Sequence, residues 1–401
     1  MSYAAIIQQQ LQALGKVPAA SPIAIEHSQL LDLHLRDLAS ESGGSLSFER
    51  FMQELLYAPG LGYYSAGAEK IGESGDFITA PEISPMFSDC LAHQAEQILK
   101  ISPGSILEIG AGTGIMAADI LRRLEELHCL PEKYLILEVS AELKQRQHQT
   151  LSKEVPDLFH RIEWISALPE NFKGVIVANE VVDAMPVQVF VKKAGEFLKK
   201  TVIATENGWD WGALEFDQKL NDFGLELEKR LGYELAEGYE SEANIMQQSW
   251  LTSLSDCLQH GLILLLDYGF PQAEYFHPQR PGTLMCHYRH FSHSNPLVLL
   301  GLQDVTAHVD FTALAEVAFE SGLQVKGYTD QGTFLTNCGL LERMEQLGDI
   351  DDAKIIRYSQ QVKLLILPSE MGELFKVIAM GRGIDGLELL GFSSGDKRSK
   401  L

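Results

Sequence analysis

Cysteine is scarce: 401 residues hold only Cys90, Cys129, Cys257, Cys286 and Cys338. They are odd in number and widely spaced, with no Cys-x-x-Cys pair. That argues against a disulfide framework and a cysteine-rich zinc site, and points to a reducing compartment, the cytoplasm. Long apolar runs are missing as well. The longest, Leu262 to Leu266, is strand-sized, so no membrane association is expected. The opening stretch MSYAAIIQQQLQALGK has no arginine and no secretory apolar core, so neither a signal nor a transit peptide is expected. Basic residues are few: 32 Lys and Arg stand against 55 Asp and Glu, a formal net charge of -23. Such a surface repels phosphates, which argues against a general nucleic-acid binder, and suits a basic partner. Keeping the chain soluble would explain the acid equally well. No internal repeat or low-complexity tract is visible.

What is present reads as an α/β chain. Ser21-Pro22 opens a helix carrying Leu30, Leu31, Leu35 and Leu38, and a second follows Ser47 with Phe48, Phe51, Met52 and Leu55 on one face. Pro59 to Gly62 breaks it, and residues 63–90 read as loop. From residue 104 strand-length apolar runs alternate with helical stretches: 106–109, 134–139, 162–165, 175–178, 262–267, 323–328 and 375–380. These predict a seven-stranded, mostly parallel Rossmann-like sheet whose last strand runs antiparallel. The expected organisation is a helical, cofactor-covering region over 1–100, a core over 101–204 and 251–392, an inserted segment over 205–250 and a disordered tail over 393–401. The long segment 269–310 reads as functional or as a small subdomain.

The central motif runs from Leu107-Glu108-Ile109 into Gly110-Ala111-Gly112-Thr113-Gly114, closing a strand and opening a helix. Glycines there let the backbone turn sharply and approach a ligand. The pattern is GxGxG; a dinucleotide fingerprint would place its third glycine where Ile115 stands. Glu138 ends the next strand, 24 residues beyond Gly114, where a carboxylate can accept bonds from ribose hydroxyls. Glu108 beside the loop suits the ammonium and sulfonium charges of S-adenosyl-L-methionine and would be costly beside a pyrophosphate. S-adenosyl-L-methionine is therefore the expected cofactor, with NAD as runner-up.

The fourth strand ends in Asn179 and Glu180, followed by Asp183. The carboxyl ends of strands line the crevice of such sheets, so these residues should meet cofactor and acceptor. Helix capping or an ion pair is the plain alternative for either acid. His287 and His290 show no metal-ligand spacing with a carboxylate, and no metal is expected.

Longer segments carry a resemblance. Leu56 to Tyr64, Gly75-Asp76-Phe77-Ile78-Thr79-Ala80-Pro81-Glu82, Glu108 to Gly114, Ala178 to Val187, Asp267-Tyr268-Gly269, Gly282-Thr283-Leu284, Asp304 to Phe311 and Met371 to Val377 are similar to the MidA-like methyltransferase family. Its mitochondrial members are complex I assembly arginine methyltransferases. The resemblance implies a class I S-adenosyl-L-methionine-dependent fold and a protein substrate bearing arginine, with a respiratory complex I-type subunit as one such substrate. It also implies that Asp76, Phe77 and Thr79 lie in a loop that folds over the cofactor. In the reaction so drawn, Glu180 first and Asp183 second grip the guanidinium, and His308 takes the proton. A packed, structural histidine is the alternative for His308. A small-molecule methyltransferase with the same core, and an assembly protein with vestigial activity, are the rival functions. A homo-oligomer is left open.

Overall fold

The computed structural model describes residues 1–15, 17–65, 78–346 and 352–401, and these gather into two compact units. One, the Rossmann-like unit, comprises Ile78–Val182, Gln248–Pro271 and Val309–Leu401. The other, the N-terminal unit, comprises Met1–Phe77, Asp183–Gln247 and Gln272–His308.

The Rossmann-like unit is built on β1 (Ser105–Ile109), β2 (Tyr134–Leu137), β3 (Ile162–Ile165), β4 (Phe172–Asn179), β5 (Leu258–Phe270), β6 (Gln324–Asp330) and β7 (Phe375–Arg382), in the order β6-β7-β5-β4-β1-β2-β3. The pairs β3/β2, β2/β1, β1/β4 and β4/β5 are parallel, and β7 is antiparallel to both β5 and β6. All seven expected strands are present. The short strand Val309–Asp310, which no sequence pattern announced, adds to the end of β5. The parallel strands are apolar runs because helices cover both faces. Leu107, Ile176 and Ile263 are buried, and Val175, Val177, Leu264 and Leu266 share one core with Leu91, Ala95 and Ile98 of the helix Pro85–Ile101 and Leu121 of the helix Ile115–Glu126. After β1 the chain adds β2 and β3 on one side; it then returns to place β4 on the other. Strand order thus reverses between β1 and β4, where sheets of this kind open a ligand crevice.

The N-terminal unit holds a second sheet, from Ser45–Ser47, Gln188–Lys193, Glu196–Thr205, Gly208–Phe216 and Glu240–Ala243. The expected core boundary at residue 204 therefore falls inside a strand of this sheet, and the inserted structure begins near Asp183. The cause is a hairpin: Lys193-Ala194-Gly195-Glu196 turns with φ positive at Ala194 (55°) and Gly195 (79°), which matches the twist of paired strands. Glu237 holds that turn, accepting both Ala194 N–H and Gly195 N–H. The helices Pro22–Glu41 and Phe48–Tyr57 begin where their serines predicted, with Ser21 and Ser47 capping Ala24 and Arg50 N–H.

Two other expectations are corrected. The stretch read as loop up to residue 90 already contains the helices Ala80–Ile83 and Pro85–Ile101, each with proline in its first turn. The tail 393–401, expected to be disordered, runs beside β6: Thr329 donates to Gly395 O, Asn337 to Ser394 O, and Lys397 N–H to Tyr328 O. The tail is too short and polar for periodicity to reveal its order.

Candidate active site

In the Rossmann-like unit the glycine loop turns three times through positive φ, at Gly110 (67°), Gly112 (51°) and Gly114 (84°). The reasons for glycine differ. A Cβ on Gly110 would stand 3.0 Å from the Val181 side chain, and one on Gly114 would stand 3.2 Å from Gln147 Cα. At Gly112 an added Cβ would meet nothing within 4 Å among the described residues, so the loop presents bare backbone there. Gly114 also caps the helix Ile115–Glu126, whose amide end favours negative or electron-rich groups.

Around that loop stand the strand ends. Glu138, just past β2, is held at both oxygens: Oε1 accepts Ser140 N–H at 2.9 Å and Oε2 accepts Gln147 Nε2 at 2.8 Å. Burial raises its pKa, and the bonds from Ser140 and Gln147 oppose the rise. Gln147, buried in the helix Ala141–Glu154, also donates to Gly112 O at 3.1 Å and accepts Trp164 Nε1 at 3.0 Å. One amide thereby fixes the acid relative to the glycine loop. Val139, next to Glu138, is 83% exposed, an apolar side chain left beside the ribose-type acid. Sequence reasoning missed both residues; the signal for Val139 was its position directly after the acid, and Gln147 gave none.

At the end of β4, Asn179 Nδ2 donates to Glu180 Oε1 at 3.1 Å, while the buried Asn179 Oδ1 has no partner among the described residues. Glu180 sits in the left-handed region (φ 53°), an arrangement costing on the order of 1 kcal/mol for a side chain with a Cβ and concentrated at functional sites. Its N–H bonds Leu266 O, and Asp267 Oδ2 accepts Val182 N–H at 3.0 Å, so β5 holds the turn that follows β4. Thr79 is half-buried at the start of the helix Ala80–Ile83 and makes no side-chain capping bond. Three residues on, Glu82 accepts the Thr113 hydroxyl, tying this segment to the glycine loop. Asp76 and Phe77 lie outside the described residues. Glu108, two positions before Gly110, is 1% exposed, accepts the Tyr134 hydroxyl at 2.6 Å, and is pushed up to about 7 by burial, against the Tyr134 bond and with help from Glu138.

The N-terminal unit brings Asp183 and His308 together, because Ala307 N–H donates to Asp183 O at 2.9 Å. Asp183 is buried. It lies in the electrostatic surroundings of Tyr64, whose hydroxyl donates to both oxygens of Asp304 at 3.0 and 3.1 Å and whose pKa burial drives well above its ordinary value. Tyr57 stacks on Tyr64 at 5.6 Å and donates to Ala184 O. His308 is half-buried, and its N–H donates to Thr283 Oγ1. Asp310, at the end of the same segment, caps the helix Phe311–Glu320.

Residues 90–329 match the family described as "Putative S-adenosyl-L-methionine-dependent methyltransferase". The chain belongs to this family of S-adenosyl-L-methionine-dependent methyltransferases. The methyltransferase is 39% identical to a COG1565 superfamily member from Burkholderia thailandensis whose crystal structure is bound to S-adenosyl-homocysteine. The TM-score is 0.90, over 96% of this chain and 100% of that one. It is 29% identical over 389 residues to "Protein arginine methyltransferase NDUFAF7, mitochondrial" of Danio rerio, covering 86% of each chain. The Homo sapiens protein of the same name is 28% identical, covering 91% of this chain and 85% of its own. The cofactor is S-adenosyl-L-methionine. Bare backbone at Gly112, the unpartnered Asn179 Oδ1, the anchored carboxylate of Glu138 and the exposed Val139 fit its parts: a backbone approach, an acceptor, a ribose clamp and an apolar wall for a base. No helix among the described residues is long and apolar enough to cross a membrane.

Proposed function

We propose that this methyltransferase transfers methyl groups to arginine side chains of a protein substrate. The observation that carries the reading is the likeness, over 86% of both chains, to a protein named as an arginine methyltransferase. The acidic surface, at a net charge of -23, supports a basic partner. Free cysteines, four of the five buried, suit the reducing cytoplasm in which we place the reaction.

Bound S-adenosyl-L-methionine supplies a methyl group already activated on a sulfonium, so the chain's task is alignment and electrostatics. Glu138 accepts the ribose hydroxyls, Gly110, Gly112 and Gly114 give backbone access, Asn179 receives a donor of the amino-acid portion, and Val139 covers the base. Thr79, at the start of the helix Ala80–Ile83, belongs to the cofactor side, and for Asp76 and Phe77, outside the described residues, the same assignment rests on the resemblance alone. Glu180, its backbone held in the left-handed region by the sheet, orients the guanidinium for in-line attack, with Asp183 as the second carboxylate. His308 takes up the proton that leaves the acceptor nitrogen.

The test is incubation of the purified protein with isotopically labelled cofactor and cell extract, followed by mass spectrometry. Labelled methylarginine is expected with the wild type. It should disappear with Gly112→Val, which places a branched side chain on the bare backbone of the loop at an unfavourable φ and should weaken cofactor binding at least 10-fold, about 1.4 kcal/mol. Cofactor binding without any methylarginine would overturn the acceptor assignment, and label on small molecules alone would favour the small-molecule alternative.

A further inference from the structure

The N-terminal unit contains a cavity of about 460 Å³, in the range of small-ligand sites. Glu242, from the strand Glu240–Ala243, lines it and is 2% exposed. Its two oxygens live differently. Oε1 accepts the Thr283 N–H, the Thr283 hydroxyl and the Tyr275 hydroxyl, the last at 3.3 Å. Oε2 has neither a hydrogen bond nor a cation within 4.0 Å among the described residues. Glycine at position 282 leaves that oxygen uncovered: a Cβ there would stand 2.6 Å from it. Pinning the Thr283 turn accounts for Oε1 and does not account for Oε2.

A buried carboxylate with no counter-ion is costly, and burial raises the Glu242 pKa against the Thr283 and Tyr275 bonds. The other acid of the cavity is already neutralised: Lys200 Nζ lies 2.8 Å from Glu240 and 4.0 Å above the Trp211 ring. Arg280 and His308 line the cavity without bonding Glu242. No group of three His, Cys, Asp or Glu among the described residues could hold a metal ion, and the unbonded, buried oxygen facing the cavity suits a donor carried by an organic cation.

We propose that this cavity receives the guanidinium of an arginine in the protein substrate, with Glu242 Oε2 accepting its N–H and Val189, Leu284 and Met285 covering its methylene stem. The proposal rests on the arginine reading above and concerns an arginine of the substrate other than the one that Glu180 orients, a docking side chain held within the N-terminal unit. A guanidinium suits the site better than an ammonium because it is more weakly hydrated and presents donors in a fixed plane. Thr283 joins the two ends of the arrangement, donating to Glu242 while accepting the N–H of His308.

The full chain, saturated with S-adenosylhomocysteine, is titrated with Nα-acetylarginine methylamide and with the neutral isostere Nα-acetylcitrulline methylamide, followed by ligand-observed NMR. The arginine probe should bind at least 10-fold more tightly than the citrulline probe. Glu242→Gln keeps an oxygen for Thr283 and should reduce arginine-probe affinity at least 10-fold, with the S-adenosylhomocysteine Kd unchanged. Glu237→Gln removes the same charge at the exposed hairpin and should bind the probe as the wild type does. No binding of the arginine probe, equal binding of both probes, or a Glu242→Gln protein indistinguishable from wild type overturns the proposal. Should Glu242→Gln fail to fold, Gly282→Ala, whose Cβ would stand 2.6 Å from Oε2, should lower arginine-probe affinity in the same way, and unchanged affinity there overturns the proposal by leaving the probe to Glu180. No methyl transfer enters this readout, so its failure and the failure of the labelling assay are separate results.

Discussion

At the scale of single residues, the cofactor side is governed by carboxylates in unlike surroundings. Glu138 is anchored at a strand end by Ser140 and Gln147, whereas Glu108, two positions before the first glycine, is buried against Tyr134. A carboxyl whose folded pKa is about 7 stays protonated in the native state while the unfolded chain ionises near its ordinary 4.5. Folding therefore loses stability as pH rises from about 4.5 to about 7, by up to on the order of 3 kcal/mol, and no more beyond. Glu108→Gln keeps an acceptor for Tyr134 and cannot ionise. Urea unfolding should show the variant near wild type at pH 4.5 and more stable by that order at pH 8; a difference independent of pH would refute the assignment. Gln147→Leu removes the donor to Glu138 and Gly112 O and leaves Trp164 Nε1 unsatisfied. It should cost about 1–3 kcal/mol of stability and weaken S-adenosylhomocysteine binding, and calorimetry that finds the wild-type Kd would remove Gln147 from the site.

At the scale of elements, three central strands approach closely at their starts. Gly104, Gly174 and Gly261 precede or open the apolar runs of β1, β4 and β5. A Cβ on Gly174 would fall 2.0 Å from Ser105 O, and one on Gly261 would fall 1.9 Å from Gly174 O. Gly174 also holds φ at +121°, a region side chains rarely enter. Gly174→Ala should cost more than about 3 kcal/mol, read as a lowered urea midpoint, because neither backbone can yield without breaking the β1/β4 ladder. A midpoint within error of wild type would mean that the strands can separate. The seven strands of this sheet were legible because each is a bounded apolar run followed by a helix or a turn. The strands Gln188–Lys193 and Glu196–Thr205 were not: they mix lysines with Phe190, Phe197 and Val202, and neighbours such as Val189 with Phe190 and Thr201 with Val202 are both buried, so residues on both faces are covered. Without a clean alternation or a long apolar run, nothing local marks them as the boundary of a second sheet.

At the scale of the whole molecule, the chain leaves the Rossmann-like unit after Val182 and again after Pro271 to build the second unit. Each excursion departs from the carboxyl end of a strand and carries chemistry-bearing residues: Asp183 and Glu242 in the first, Thr283 and His308 in the second. The sequence by itself determined the glycine loop, the acid ending β2, the strand list and the polar end of β4, because glycine spacing and apolar run length are local properties that the backbone must obey. Only the tertiary structure decided that Gln147 clamps Glu138 to the loop, that Glu82 meets Thr113, that Glu108 is spent on Tyr134, and that Glu242 keeps one oxygen unbonded. Those relations join residues distant in the chain, and they depend on which buried polar groups find partners once the strands are packed.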